Sequence, residues 1–130
     1  MIEIIVFDIL SEEIEQLFPD ADIVDQYQPE VSSFPHVQIV MDDVSDHVES
    51  LTPQVNFENI NFQIDVFTIG QSKKKDAKQI ADKIQDEMYL MGFLRRQRRV
   101  VTNIGNRDVY RIVLRFTATR KLNTNIIYRR

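Results

Sequence analysis

Four arginines, Arg95, Arg96, Arg98 and Arg99, stand within five consecutive residues, and Arg107, Arg111 and Arg115 follow them. A guanidinium is a permanent cation whose planar fork of N–H donors matches a carboxylate or a phosphate two bonds at a time. The chemistry on offer is recognition of anions, with no bond made or broken. Three further cations, Lys73, Lys74 and Lys75, form a second run upstream.

Both runs belong to an uneven charge layout. Residues 1–72 hold fifteen acidic residues and no Lys or Arg, whereas residues 73–130 hold all sixteen basic residues and five acidic ones. The two parts carry formal charges of −15 and +11 in a chain of net charge −4. An acidic half packed beside a basic half neutralises the split within one molecule. An acidic face of one copy against a basic face of the next neutralises it between molecules. The sequence leaves both open.

Other chemistry finds little support. There is no cysteine, so disulfides, thiol catalysis and cysteine zinc sites are excluded. His36 and His47 are the two histidines. Asp43 and His47, four apart, could share a metal on a helix, but no third ligand has suitable spacing, and a solvated acidic loop is the better reading. No serine lies in a G-x-S-x-G turn, and the three glycines form no phosphate-cradling loop. The expectation is no catalytic residue, no metal and no cofactor. The N-terminal stretch carries Glu3 and Asp8 and lacks the basic flank of a signal peptide. No apolar run approaches the roughly 18 residues of a membrane helix. The reading is of a soluble intracellular product with no membrane partner.

The arginine run itself has three readings. Docking of an acidic protein ranks first. Charges that keep a sheet edge from unwanted pairing rank second. Contact with a nucleic-acid backbone ranks third, because the chain is acidic overall and lacks a basic recognition helix with interleaved aromatics.

The elements that must position these cations follow from periodicity. At 130 residues and 43% hydrophobic, the chain fits one globular domain spanning 1–130. Ile2, Ile5, Val6, Ile9, Leu10, Leu17 and Phe18, with Ile14 between them, predict an amphipathic helix closed by Pro19. A strand over the first ten residues, with Ser11 capping a shorter helix, is the alternative. Ile23 and Tyr27 suggest a short extended piece. "FPHVQIVM" reads as a strand with Val37, Ile39 and Met41 on one face, and residues 42–54 read as a polar loop. A long strand follows, with Ile60, Phe62, Ile64 and Val66 on its core face.

Ala77, Ile80, Ala81, Ile84, Met88 and Met91 form the clearest helical stripe, ended by Gly92 with Phe93 beside it. Lys73 to Lys75 then sit at the positive end of the helix dipole, which costs a few tenths of a kcal/mol each. Either the helix begins later, near Asp76, or these lysines serve a partner. Residues 94–104 alternate as a strand, placing Arg96 and Arg98 on one side and Arg95 and Arg99 on the other. "NIGNRD" turns the chain. Tyr110, Ile112, Leu114, Phe116 and Ala118 then make the apolar face of the return strand. The tail, 121–130, is left as an edge strand or a mobile end. The fold class is α+β: a mostly antiparallel sheet, two main helices on one face and a C-terminal β-hairpin.

This order of elements resembles the tail terminator (tail completion, head–tail joining) proteins of long-tailed bacteriophages and prophages. The likeness spans residues 1–120. It rests on "SSFPHVQIVM", "INFQIDVFTIG", the lysine-flanked helix "KKKDAKQIADKIQDEMYLMGF" and the aromatic–Arg–aliphatic return strand at Tyr110, Arg111 and Ile112. It implies a non-enzymatic virion protein, located at the head-proximal end of the tail and in host cytoplasm during assembly. Such a protein forms a ring, commonly a hexamer, on the tail tube, stops tube polymerisation and meets a head-side neck protein. Nucleic acid enters that picture only as DNA passing through the ring lumen. The alternatives are another neck or tail assembly protein, or a small nucleic-acid-binding module using the Arg95–Arg99 cluster. No motif residue carries over one to one, so Arg95, Arg96, Arg98, Arg99, Lys73, Lys74 and Lys75 stand as interface candidates on their chemistry alone. The absence of any base from the acidic half departs from the family's usual pattern.

Overall fold

The computed structural model describes residues 2–47, 57–102, 108–121 and 127–128. The element order is α1 (Ile2–Leu17), β1 (Asp22–Val24), β2 (His36–His47), β3 (Phe57–Thr68), α2 (Lys73–Leu90), β4 (Leu94–Thr102), β5 (Tyr110–Lys121) and β6 (Ile127–Tyr128). The strands form one sheet in the order β1-β2-β3-β5-β4, with β6 pairing β5 beyond the start of β4. Only β1 and β2 run parallel among the described strands. The fold is α+β, and residues 127–128 of the tail lie in the sheet. The "NIGNRD" turn falls on residues 103–107, outside the described residues, up to its last member.

One side of the sheet is apolar because residues of the same parity pair across it. Val37 faces Val66 and Ile112, and Ile39 faces Ile64 and Leu114. Phe62 pairs with Phe116, and Ile60 with Ala118. Both helices cover this side. α2 lays Ala77, Ile80, Ala81, Ile84 and Met88 on β3, β5 and β4. α1 packs beside α2, and residues 18–21 link it directly to the edge strand β1. α1 therefore lies over the β1–β2 side of the sheet, and α2 over the β4 side.

The core stripe of α1 is Ile2, Val6, Leu10 and Ile14, each four residues after the last. Ile14 closes it, while Ile5 and Leu17 of the expected stripe are solvent-exposed. Each fully buried aliphatic here contributes about 1.5–3 kcal/mol of transfer free energy. The end of α2 is a Schellman motif. Phe93 donates its N–H to Met88 O at 2.9 Å, Gly92 donates to Tyr89 O at 3.0 Å, and Gly92 has φ +98°. The turn swings Phe93 into the core, edge-on to Phe62 with centroids 5.5 Å apart.

The polar segment expected to form a loop after Met41 is strand as far as His47. β3 supplies the reason: Asn61 to Phe57 continue the ladder opposite Asp43 to His47, after a register shift between Met41 and Asp43. Paired backbone outweighs the poor strand propensity of the aspartates. Asp43 and His47 consequently lie about 13 Å apart along a strand, not one helical turn apart. The rest of the expected loop, 48–54, lies outside the described residues.

Candidate assembly surface

β4 is an edge strand, and its arginines do not alternate as simple parity predicts. Arg95 pairs with Phe116, but Gln97, not Arg96, pairs with Arg115, so Arg96 is the extra residue of a β-bulge. The bulge shifts the alternation by one. Arg95 and Arg98, opposite Phe116 and Leu114, share the helix-covered side, while Arg99, opposite Val113, lies on the other. The expected grouping of Arg96 with Arg98 and of Arg95 with Arg99 is thus corrected.

The four arginines also differ in what holds them. Arg98 is engaged: it donates to Asp82 Oδ1 at 2.8 Å and to Gln85 Oε1 at 3.2 Å, tying β4 to α2. Lys78 donates to the other oxygen of Asp82 at 2.9 Å. The hydrogen bond from Lys78, aided by the bond and charge of Arg98, holds the Asp82 carboxyl below the usual carboxylate value against the opposing effect of burial. Arg95 makes one longer bond, 3.3 Å to Gln85 Oε1. Arg96 and Arg99 are exposed and have no partner among the described residues.

The lysine run separates in the same way. α2 begins at Lys73, so the helix does not start late, and its cap residue Ser72 makes no side-chain capping bond. Thr68 Oγ1 donates to Lys73 O at 2.7 Å, and Lys73 Nζ donates to Asp108 O at 3.3 Å, fastening the helix start to β3 and to the approach of β5. Lys73 therefore has a structural bond of its own. Lys74 and Lys75 are exposed, with no partner among the described residues. Lys74, Lys78, Arg95, Arg98 and Arg99 line a groove between α2 and β4, together with Val100, Tyr110 and Ile112.

The ion pairs between the acidic and basic parts of the chain include Lys83 with Glu13 and Arg111 with Asp65. Lys83 Nζ lies 3.7 Å from Glu13 Oε1 across the helices. Arg111 pairs with Asp65 on the helix-free side of the sheet.

The Asp65–Arg111 pair was not singled out from sequence. Asp65 is 3% exposed, its Oδ2 accepts from Arg111 Nε at 3.0 Å and also from Nη2, and Gln63 Nε2 donates to Oδ1 at 3.1 Å. The guanidinium sits over Phe67, 5.3 Å from the ring centroid. His36 lies beside Phe67, with Nδ1 3.0 Å from Asp22 Oδ2 and Nε2 3.2 Å from Gln38 Nε2. Two marks were readable: an acid between the core residues Ile64 and Val66, and an arginine on a strand that had to pair with it. Among the described residues, no three His, Asp or Glu side chains gather as a metal site. No helix there is long and apolar enough to cross a membrane.

Fold and surface together define a class: a small α+β domain with a cluster of arginines along one sheet edge. The chain belongs to the family of tail completion protein gp17, whose model matches residues 7–120. It is thereby a structural protein of the virion tail, with a role in tail assembly. A protein chain from the virion of a native gene transfer agent (GTA) particle has the same fold, with a TM-score of 0.68 and 19% identity over 89% of this chain and 91% of that one. No curated protein matches the sequence.

Proposed function

We propose that the protein forms a ring on the head-proximal end of the tail tube, ends tube polymerisation and presents a joining surface to a head-side neck protein. Side-by-side copies in the ring, a hexamer in the family resemblance, meet through opposite charges. Arg96 and Arg99 are the contact cations, facing acids of a neighbouring copy or of the tube. Lys74 and Lys75 extend the same basic surface.

The observation that carries this reading is the charge division combined with the exposure of Arg96 and Arg99, which have no partner among the described residues. Parts at −15 and +11 in one chain offer opposite charges that can meet between molecules. Head-to-tail pairing of two different patches closes into a ring when the rotation between copies allows it.

Reversal of Arg96 and Arg99 to Glu tests the assignment without touching a bond the fold uses. The expected result is a folded chain that no longer caps tubes, so that tube lengths in an assembly reaction with the tube protein become unregulated. Tubes of wild-type length would show that these arginines are not the contact. Arg98 is unsuited to this test, because it fastens β4 to Asp82 and Gln85.

A further inference from the structure

The outer face of α1 is acidic with an apolar end. Ile4, Asp8, Glu12 and Glu15 step by four, four and three residues, one stripe opposite the core stripe. All four are exposed, Ile4 by 53%. Asp8, Glu12 and Glu15 have no partner among the described residues. The helix has no base along its length.

The groove between α2 and β4 has the converse character. Lys74, Lys78, Arg95, Arg98 and Arg99 line it together with an apolar part that includes Val100, which is 58% exposed, and Tyr110. Asp82, shared by Lys78 and Arg98, and Gln85 are the groups answering these cations. Ile4 to Glu15 spans about 16 Å at the helical rise, and Arg95 to Val100 spans about 16 Å along a strand. An amphipathic helix laid into a groove of matching charge and length is a recurrent docking mode.

The two surfaces cannot satisfy each other within one chain. α1 lies over the β1–β2 side of the sheet and is linked directly to β1, whereas the groove lies at β4, the opposite edge. We infer that the outer face of α1 in one copy docks into the α2–β4 groove of a second copy. The interface is heterologous: each copy gives a helix on one side and a groove on the other, so the pairing repeats around a ring. This inference rests on the proposed self-assembly and names its contact. The groove, whose lining includes Arg99, is used by a neighbouring copy, and Arg96 outside it remains for the tube or a further contact.

Two doubly reversed full-length chains test it. One carries Asp8→Lys and Glu12→Lys, and the other carries Lys74→Glu and Arg95→Glu. Mass is measured by light scattering at low and moderate salt, with thermal melts to establish folding. Each variant alone should lose more than about a hundredfold in self-association, since like charges set face to face cost several kcal/mol. An equimolar mixture should regain it, because the cationic helix of one variant fits the anionic groove of the other. The inference is overturned if the α1 variant associates as the wild type does, if two folded variants fail to restore association on mixing, or if the wild type stays monomeric at every concentration and salt. The ring reading is judged separately, by tube capping. Wild-type chains that cap tubes while the α1 variant caps equally well would remove this contact and leave that reading standing.

Discussion

The edge strand β4 and the sheet centre at β3 and β5 both place arginine on a strand, with opposite consequences. Arg111, in the centre, is held by Asp65 and stacked over Phe67, so its charge is spent on the fold. Arg96 and Arg99, on the edge, are exposed and have no partner among the described residues. Arg98 stands between, on the edge strand but tied to α2. The difference lies in position, not residue type. A central strand brings an arginine a neighbour on each side, while an edge strand has one flank open. Density of arginine in a sequence therefore marks a surface only after the paired members are removed.

The largest expected effect breaks the central pair. Asp65→Ala leaves the Arg111 guanidinium without its carboxylate and should cost about 3 kcal/mol, because removing one partner of a largely buried pair strands the other charge. Denaturant unfolding would measure it, and a loss within error would mean that Arg111 is solvated after all. Replacing both residues with apolar ones of similar volume should recover most of the loss, as burying the pair is itself costly.

Next comes Arg98→Ala, which removes bonds to Asp82 and Gln85 at a partly exposed site and should cost about 1 kcal/mol. Its pH dependence carries a sign. The folded state lowers the Asp82 pKa from 3.8, so the stabilisation is present above that value and is lost as pH falls through the folded value. Wild type and variant should therefore converge in acid unfolding. A gap that persists at the lowest pH would place the contribution of Arg98 in packing instead.

These contrasts also show what the sequence could carry. The stripe of α2, its Gly92 end and the core face of β3 were legible because buried helices and strands repeat with fixed periods. The helix-covered side of β5 was legible for the same reason. The arginine faces of β4 were not, because the bulge at Arg96 shifts the alternation and no residue type there announces it. The extension of β2 to His47 was hidden by its aspartates, since the pairing that forms it comes from β3. The family likeness lay in the order of elements, whereas the separation of engaged from unengaged cations needed the third dimension.

A smaller effect belongs to the helix interface. Burial pushes the Glu87 carboxyl above its usual value, and its hydrogen bond with Glu13 and the charge there add to the rise. A raised carboxylate pKa means that ionisation is disfavoured in the fold, so this contribution is full below 4.5 and is lost as pH rises through the folded value. Glu87→Gln should leave stability nearly unchanged in acid and improve it slightly at neutral pH. Melting curves at the two pH values would decide, and equal shifts at both would remove the carboxyl pair as the cause.

The smallest expected effect on stability is the one that best separates the two regions. Arg96→Glu with Arg99→Glu should change unfolding free energy by no more than about 0.5 kcal/mol, as surface substitutions without a native partner do. The same change is expected to abolish tube capping, which the central and α2-facing arginines influence only through the fold. A large loss of stability would mean that the edge cations neutralise acids of their own chain, and the opposition drawn between edge and centre would fail. Near-wild-type stability with lost assembly would instead show one strand carrying both uses of arginine: Arg98 turned to α2 to hold the edge in place, and its neighbours left outward for a second molecule.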